Sequence, residues 1–183
     1  AKSLSVVSGQ EIVDRAVASI EDAVAYTAGV ATNNYGYDPR FDQVYVRGYP
    51  VHIYGDYRDG LRQMTGVYAT FRTEPYSLEQ LEIVKGPTAA LYGQSTPGGL
   101  LNSVTKRPHL GAKNNVYGRF TNTDSYEGGF DYNLGLTENG TWASRIVGMT
   151  RFGETSNEIQ DYRQMFAPTI RWQPNADTDL TIY

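Results

Sequence analysis

Few residues in this 183-residue chain are of types and spacings that could do chemistry, and they are poorly grouped. Glu79 and Glu82 form an acidic pair three apart, a spacing that general acid–base catalysis could use. No nucleophile, metal-ligand set or phosphate-binding loop accompanies them, so no catalytic residue is assigned and the chain is not read as an enzyme. His52 and His109 lie far apart, and neither has the cysteine or carboxylate spacing of a metal site. Cysteine is absent, which removes disulfides and thiol chemistry. Tyrosine (15) and glycine (19) are plentiful instead. That pairing suits β-structure with tight turns and surfaces that are half apolar and half wet.

Charge and hydropathy narrow the setting. The net charge is −4 with a pI near 5.2 and no basic stripe, which argues against nucleic acid as a partner. No run of about 18 apolar residues exists, so no transmembrane helix is encoded. Barrel strands leave a much weaker trace than membrane helices, so a membrane setting stays open. Ala1-Lys2-Ser3-Leu4 is not a signal peptide, and any export signal is expected upstream.

The elements that would position a site begin with a short strand and two short helices over residues 1–31. Ser8 with Glu11, and Ser19 with Asp22, have capping-box spacing. Ile20, Ala23, Val24 and Thr27 share a face of a helix that ends at Gly29. Residues 32–43 read as a polar loop, 44–48 as a short strand closing on Gly48, and Asp59-Gly60 as a tight turn. The stretch 61–76 is a long aromatic loop. Leu78, Leu81, Ile83 and Val84 suggest a helical turn leading into a strand, and Gly86-Pro87 opens a short helix. Pro97-Gly98-Gly99 then turns the chain into a strand over Leu100–Lys106.

After Pro108 the period changes to two. Tyr126, Gly128, Phe130, Tyr132, Leu134 and Leu136 alternate with Glu127, Gly129, Asp131, Asn133 and Gly135. Trp142, Ile146 and Phe152 oppose Arg145 and Arg151. Tyr162, Phe166, Ile170 and Trp172 oppose Arg163, Thr169 and Arg171. Val116 to Thr121 makes a fainter first member, and Leu180 and Ile182 start a fifth, so four antiparallel connections predict an up-and-down meander. Strands near 9–11 residues, aromatics near their ends and charges on the other set favour a membrane barrel. A soluble one-sided sheet also fits the alternation, and Pro168 inside a strand forfeits a ladder donor.

Residues 44–108 carry a more specific series. It runs Val44-Tyr45-Val46-Arg47-Gly48-Tyr49, Tyr57-Arg58-Asp59-Gly60-Leu61, Glu74 to Pro87, Leu91 to Gly99, and Val104-Thr105-Lys106-Arg107-Pro108. In this order the series resembles the plug of TonB-dependent siderophore receptors, especially the ferrichrome-like, hydroxamate branch, over nearly the whole chain. The resemblance implies an α+β plug at residues 1–108, a small mixed sheet with short helices. Residues 109–183 would then be the first strands of an antiparallel transmembrane β-barrel, about five of roughly 22. It departs from the family at Lys85, where an arginine usually precedes Gly-Pro; lysine keeps the charge but loses the bidentate fork. The TonB-binding segment is not recognisable at residues 1–7.

The resemblance also implies a function: import of a ferric siderophore across the Gram-negative outer membrane. TonB with ExbB and ExbD would drive it through a segment upstream, with lipid around the barrel. Fe3+ would enter only inside its chelate, with no cofactor and no direct metal ligand. The implied ligand-contacting residues are Arg47, which matches the family's strand-end arginine, then Tyr49, His52 and Tyr54, then Arg62, Gln63, Met64, Tyr68 and Phe71, then Tyr76. Arg58, Glu79, Glu82, Lys85 and Arg107 would serve plug–barrel contacts. A catecholate siderophore, cobalamin or haem as cargo stays open, as does a receptor that also signals. So does a secreted β-sheet binding module whose residues 114–183 close their own core.

Overall fold

Ser8 Oγ accepts the Glu11 N–H at 3.2 Å and Ser19 Oγ accepts the Asp22 N–H at 3.0 Å, so both serines cap helices. These are α1 (Gly9–Asp14) and α2 (Ile20–Val24). The second stops five residues short of Gly29. Its last carbonyls, of Asp22 and Ala23, accept from the Arg15 guanidinium at 2.7 and 3.0 Å, which satisfies groups a longer helix would have used. This is a computed structural model that describes residues 3–36, 38, 40–64, 72–87, 92–109, 111, 113–121, 125–137, 139–154 and 158–183. The chain divides into two units, Ala1–Thr105 and Lys106–Tyr183.

The first unit is built on a mixed sheet of β1 (Ser3–Ser8), β7 (Leu78–Lys85), β8 (Gly99–Thr105), β5 (Asp56–Arg58) and β6 (Leu61–Arg62), in that order. β5 runs parallel to β8 and the other neighbours are antiparallel. A smaller sheet joins β2 (Val30–Ala31), β3 (Tyr45–Val46) and β4 (Tyr49–Pro50), and α3 (Val51–Tyr54) leads from it to β5. Leu78–Val84 is strand from its first residue, not a helical turn. Leu78 pairs with Thr105 and Gln80 with Val104, so Glu79 is the extra residue of a β-bulge. The bulge puts Leu78 in phase with Leu81 and Ile83, and all three are fully buried. The three-residue spacing that imitates a helix is therefore a strand with one residue inserted. These side chains pack with Val7, Ile12, Ile20, Val24, Val46 and Val51 into one core.

The second unit is a five-stranded antiparallel meander: β9 (Asn115–Phe120), β10 (Tyr126–Gly135), β11 (Trp142–Phe152), β12 (Arg163–Asn175) and β13 (Thr178–Ile182). Its register places even-numbered residues on one face and odd-numbered residues on the other. The even face exposes Phe120, Tyr126, Tyr132, Leu134, Trp142, Phe152, Phe166 and Ile170. The odd face buries Asp131, Arg145, Arg151 and Thr169. An apolar face of this extent in contact with water would be a liability, so it calls for an apolar neighbour.

Pro168 costs this sheet nothing on its β11 side. The Gln173 N–H donates to the Thr141 carbonyl at 2.7 Å, which sets the phase of the ladder. Odd-numbered amides of β12 then point to β11 and even-numbered ones point away. Pro168 stands opposite Ile146, so the hydrogen bond it cannot donate is not one of those to β11.

Candidate functional site

Arg47 stands at the tip of the β3–β4 hairpin. Val46 pairs with Tyr49, which leaves a two-residue loop, and both residues of it have positive φ, 51° at Arg47 and 82° at Gly48. That is the I′ turn whose twist matches a hairpin, and its first position is unfavourable for any residue with a Cβ. The Arg47 N–H donates to the Gly29 carbonyl at 2.8 Å, which ties the tip to β2. The Arg47 side chain is exposed, as are Tyr49 and Tyr54. His52 is half-buried between them in sequence. Its Nδ1 lies 3.2 Å from the Val44 carbonyl and its ring stands edge-on to Tyr45 at 5.3 Å. Burial pushes the His52 pKa down, against the smaller pull of that carbonyl, so the ring is a neutral packing group.

The β5–β6 hairpin also turns through two positive-φ residues, Asp59 and Gly60. Here the tip is fastened down. The Asp59 carboxylate accepts from the Thr105 N–H (3.0 Å) and Oγ1 (2.7 Å), and the Gly60 N–H donates to Asn102 Oδ1 at 3.0 Å. The far end of β6 is the open one. Arg62 is exposed and donates to Gln94 Oε1, the Gln63 N–H donates to the Asp56 carbonyl, and Met64 is 95% exposed. Tyr68 and Phe71, expected to continue this group, lie outside the described residues.

The turn at residues 92–99 joins these two places. A Cβ on Gly98 would sit 2.0 Å from the Val46 carbonyl oxygen and 3.0 Å from the Tyr49 side chain, so only glycine lets the hairpin approach. A few residues earlier, the same turn offers Gln94 to Arg62. Tyr57, 2% exposed, reaches the carbonyls of Gln94 (2.6 Å) and Tyr92 (3.0 Å) with its hydroxyl. Arg47, Tyr49, Tyr54, Arg62, Gln63 and Met64 thus decorate elements that share one turn. Sequence reasoning read this turn only as a bend and missed Gln94; the one available signal was a polar side chain between Gly93 and Pro97.

The remaining candidates lie elsewhere. Tyr76 is 5% exposed, in the one-turn 3-10 helix Pro75–Ser77 ahead of β7, and is not part of the exposed group. Arg58 is half-buried and donates to Thr73 Oγ1 at 3.3 Å. Glu82 accepts from Gln80 and Asn102, at 2.7 and 2.9 Å, and Lys85 donates to Ser5 Oγ at 2.9 Å, so both serve the first unit's own sheet. Glu79 is the exposed bulge residue. Arg107 belongs to the second unit, where its carbonyl accepts from Arg145 and its guanidinium lies over the Tyr183 ring at 5.6 Å.

A buried charge cluster lies in the first unit. Glu21, 3% exposed, accepts the Gln43 N–H at 2.6 Å. Burial pushes its pKa up to about 7, with Asp42 pushing the same way and the backbone hydrogen bonds resisting. Asp42 is paired with Arg72 at 3.0 and 3.2 Å. Asp56 is pushed up to about 6, by burial first and Asp42 second. Among the described residues no group of three or more histidine, aspartate or glutamate side chains could hold a metal ion. The exposed group offers guanidinium and amide donors with tyrosine faces, which suit a ligand rich in oxygen acceptors.

In the second unit the aromatics form two rows. Phe120, Tyr126, Phe152 and Tyr162 line one end of the apolar face, with ring centroids 5.6 Å apart for Phe120–Tyr126 and 6.0 Å for Phe152–Tyr162. Trp142 and Trp172 line the other at 5.9 Å. Ten residue steps along β11 separate the rows, roughly 33 Å along the strand, or about 25 Å of height at a 40° tilt. That is the height of an apolar membrane band between interfacial girdles.

Residues 1–100 match the family model described as TonB-dependent Receptor Plug Domain. The chain is 36% identical to the ferrioxamine receptor of Yersinia enterocolitica, over all of its own length and 26% of that protein. It is 31% identical to the ferrichrome outer membrane transporter/phage receptor of Escherichia coli K12, over 98% of its length and 24% of that protein. Its fold superposes on the pyoverdine outer membrane receptor FpvA of Pseudomonas aeruginosa with a TM-score of 0.85 at 23% identity, covering 98% of this chain and 26% of that one. The chain therefore spans about a quarter of the length of these relatives.

Proposed function

Because the chain belongs to the TonB-dependent receptor plug domain family, we propose that it is the N-terminal part of an outer-membrane transporter for a ferric siderophore of hydroxamate type. The observation that carries the reading is the two-faced meander that follows the plug: an exposed apolar face edged by two aromatic rows, backed by a face of buried ion pairs. In a barrel of about 22 strands, of which these are the first five, the first face meets lipid and the second faces the lumen. Relatives named for ferrioxamine and ferrichrome, matching over nearly all of the chain, support the hydroxamate class.

The siderophore itself coordinates the iron, so the receptor needs donors and aromatic faces rather than metal ligands. Arg47 and Arg62 supply charged donors, Tyr49 and Tyr54 supply ring faces, and the half-buried Gln63 and the exposed Met64 complete the set. His52 supports the hairpin from beneath. No covalent chemistry is assigned, and Fe3+ is cargo. Inward passage draws on TonB, with ExbB and ExbD, acting on a segment upstream of these residues, in the outer membrane of a Gram-negative cell.

The test is uptake of 55Fe-labelled ferrioxamine and ferrichrome by iron-starved cells that produce the full-length receptor, with and without TonB. TonB-dependent accumulation of either chelate is expected. Accumulation of neither, with uptake of a catecholate complex, cobalamin or haem instead, removes the hydroxamate assignment.

A further inference from the structure

We propose that Gln94 is a positioning residue for chelate recognition, holding the Arg62 guanidinium so that it presents a fixed set of donors to an oxygen-rimmed ligand. The proposal rests on the receptor reading above and adds a residue to its binding surface.

Arg62 ends β6, the outermost strand of its sheet, and Met64 two residues later is 95% exposed. An exposed arginine at a strand end samples many rotamers, and a ligand that used it would have to order it first. Gln94 Oε1 takes one of the five guanidinium N–H groups, which among the described residues leaves four for an acceptor-rich ligand.

Gln94 is itself held. The buried Tyr57 hydroxyl reaches the Gln94 and Tyr92 carbonyls, and the Tyr57 and Tyr92 rings meet edge to face at 6.0 Å. The other end of the turn is fastened by Thr96 Oγ1, which donates to the Gly99 carbonyl at 2.7 Å and accepts the Gly99 N–H at 3.2 Å. Both partners are exposed, so the Arg62–Gln94 bond adds little to folding. Its effect is to order Arg62 in advance. Ordering one such side chain is worth about two- to tenfold in affinity.

The experiment is ferrichrome and ferrioxamine binding by the full-length receptor in detergent, for wild type, Gln94→Ala, Gln94→Glu, Arg62→Ala and the Arg62→Ala/Gln94→Ala double variant, each with its thermal midpoint. Gln94→Ala is expected to weaken binding about two- to tenfold at an unchanged midpoint. Gln94→Glu keeps an acceptor for the guanidinium and restores binding, and Gln94→Ala adds nothing once Arg62 is gone. Wild-type affinity in Gln94→Ala, an equal further loss in the Arg62→Ala background, or a lowered midpoint overturns the positioning role and leaves the receptor reading intact. Wild-type protein that binds neither chelate overturns that reading, and the proposal with it.

Discussion

Arg145 grips both carboxylate oxygens of Asp131 across the β10–β11 pair, Nε to Oδ1 at 2.8 Å and Nη2 to Oδ2 at 2.9 Å. Lys106 Nζ lies 2.8 Å from the same carboxylate, so one anion holds two cations on a face where all three are less than 10% exposed. Glu127 and Asp161 do the same along the row, bonding Arg151, Arg119 and Arg163. A charged face of this kind stays folded only while every member keeps its partner.

Asp131→Asn should therefore be costly. It removes the carboxylate that Arg145 and Lys106 share, a loss of about 3–5 kcal/mol. Urea unfolding of the full-length receptor measures it. An Arg145→Ala/Asp131→Asn double variant should lose less than the sum of the two single changes. A single-variant loss below about 1 kcal/mol would mean that water already screens the pair.

Glu21 sets a pH dependence. Its folded-state pKa, about 7, lies above its ordinary value of 4.5, so proton binding favours the folded chain. That contribution is complete below about pH 4.5 and is lost as pH rises through 7, about 3 kcal/mol in all. Glu21→Gln keeps an acceptor for the Gln43 N–H without the charge, so it should flatten this part of the stability–pH curve and be the more stable protein at pH 8. Thermal midpoints of both proteins between pH 4 and 8 check this. Parallel curves would contradict it.

How much of this was legible in the sequence varies by element. The period-two strands were readable because each side chain's face depends only on its own parity, and the serine caps because their partners are three residues away. The Glu79 bulge was not, because one inserted residue turns a strand's spacing into a helix's. The short α2 was not, because its end is satisfied by Arg15 from another element. Tyr49, Arg62 and Gln94 could be placed near one turn only through Gly98 and Tyr57, contacts that span tens of residues. Burial of Glu21 depends in the same way on Gln43, 22 residues on.

Arg47→Gly should separate stability from function. Glycine accepts a φ of 51° freely but adds freedom to the unfolded chain, so the net change is between neutral and about 1 kcal/mol more stable. Chelate affinity should nevertheless fall about tenfold or more with the guanidinium gone. Calorimetry and ligand titration on one preparation give both numbers. Unchanged affinity would remove Arg47 from the binding surface.

Gly98→Ala should damage the surface without replacing any residue that meets ligand. The new methyl would overlap the Val46 carbonyl oxygen, which is backbone and cannot swing aside. A loss of about 1–3 kcal/mol is expected, with weaker binding of ferrichrome and ferrioxamine. Wild-type binding and stability would mean that the hairpin and the turn do not depend on each other.

Site-by-site lipid exposure of β12 reaches the central claim most directly. Cysteines introduced singly at residues 163–172 of the full-length receptor, spin-labelled and reconstituted into liposomes, would be probed with oxygen and with a polar nickel complex. Oxygen access should peak at Phe166, Ile170 and Trp172 and drop at Met165, Ala167 and Arg171, with a period of two. Uniform access to the polar reagent, or no alternation, would contradict a strand that lines a membrane barrel.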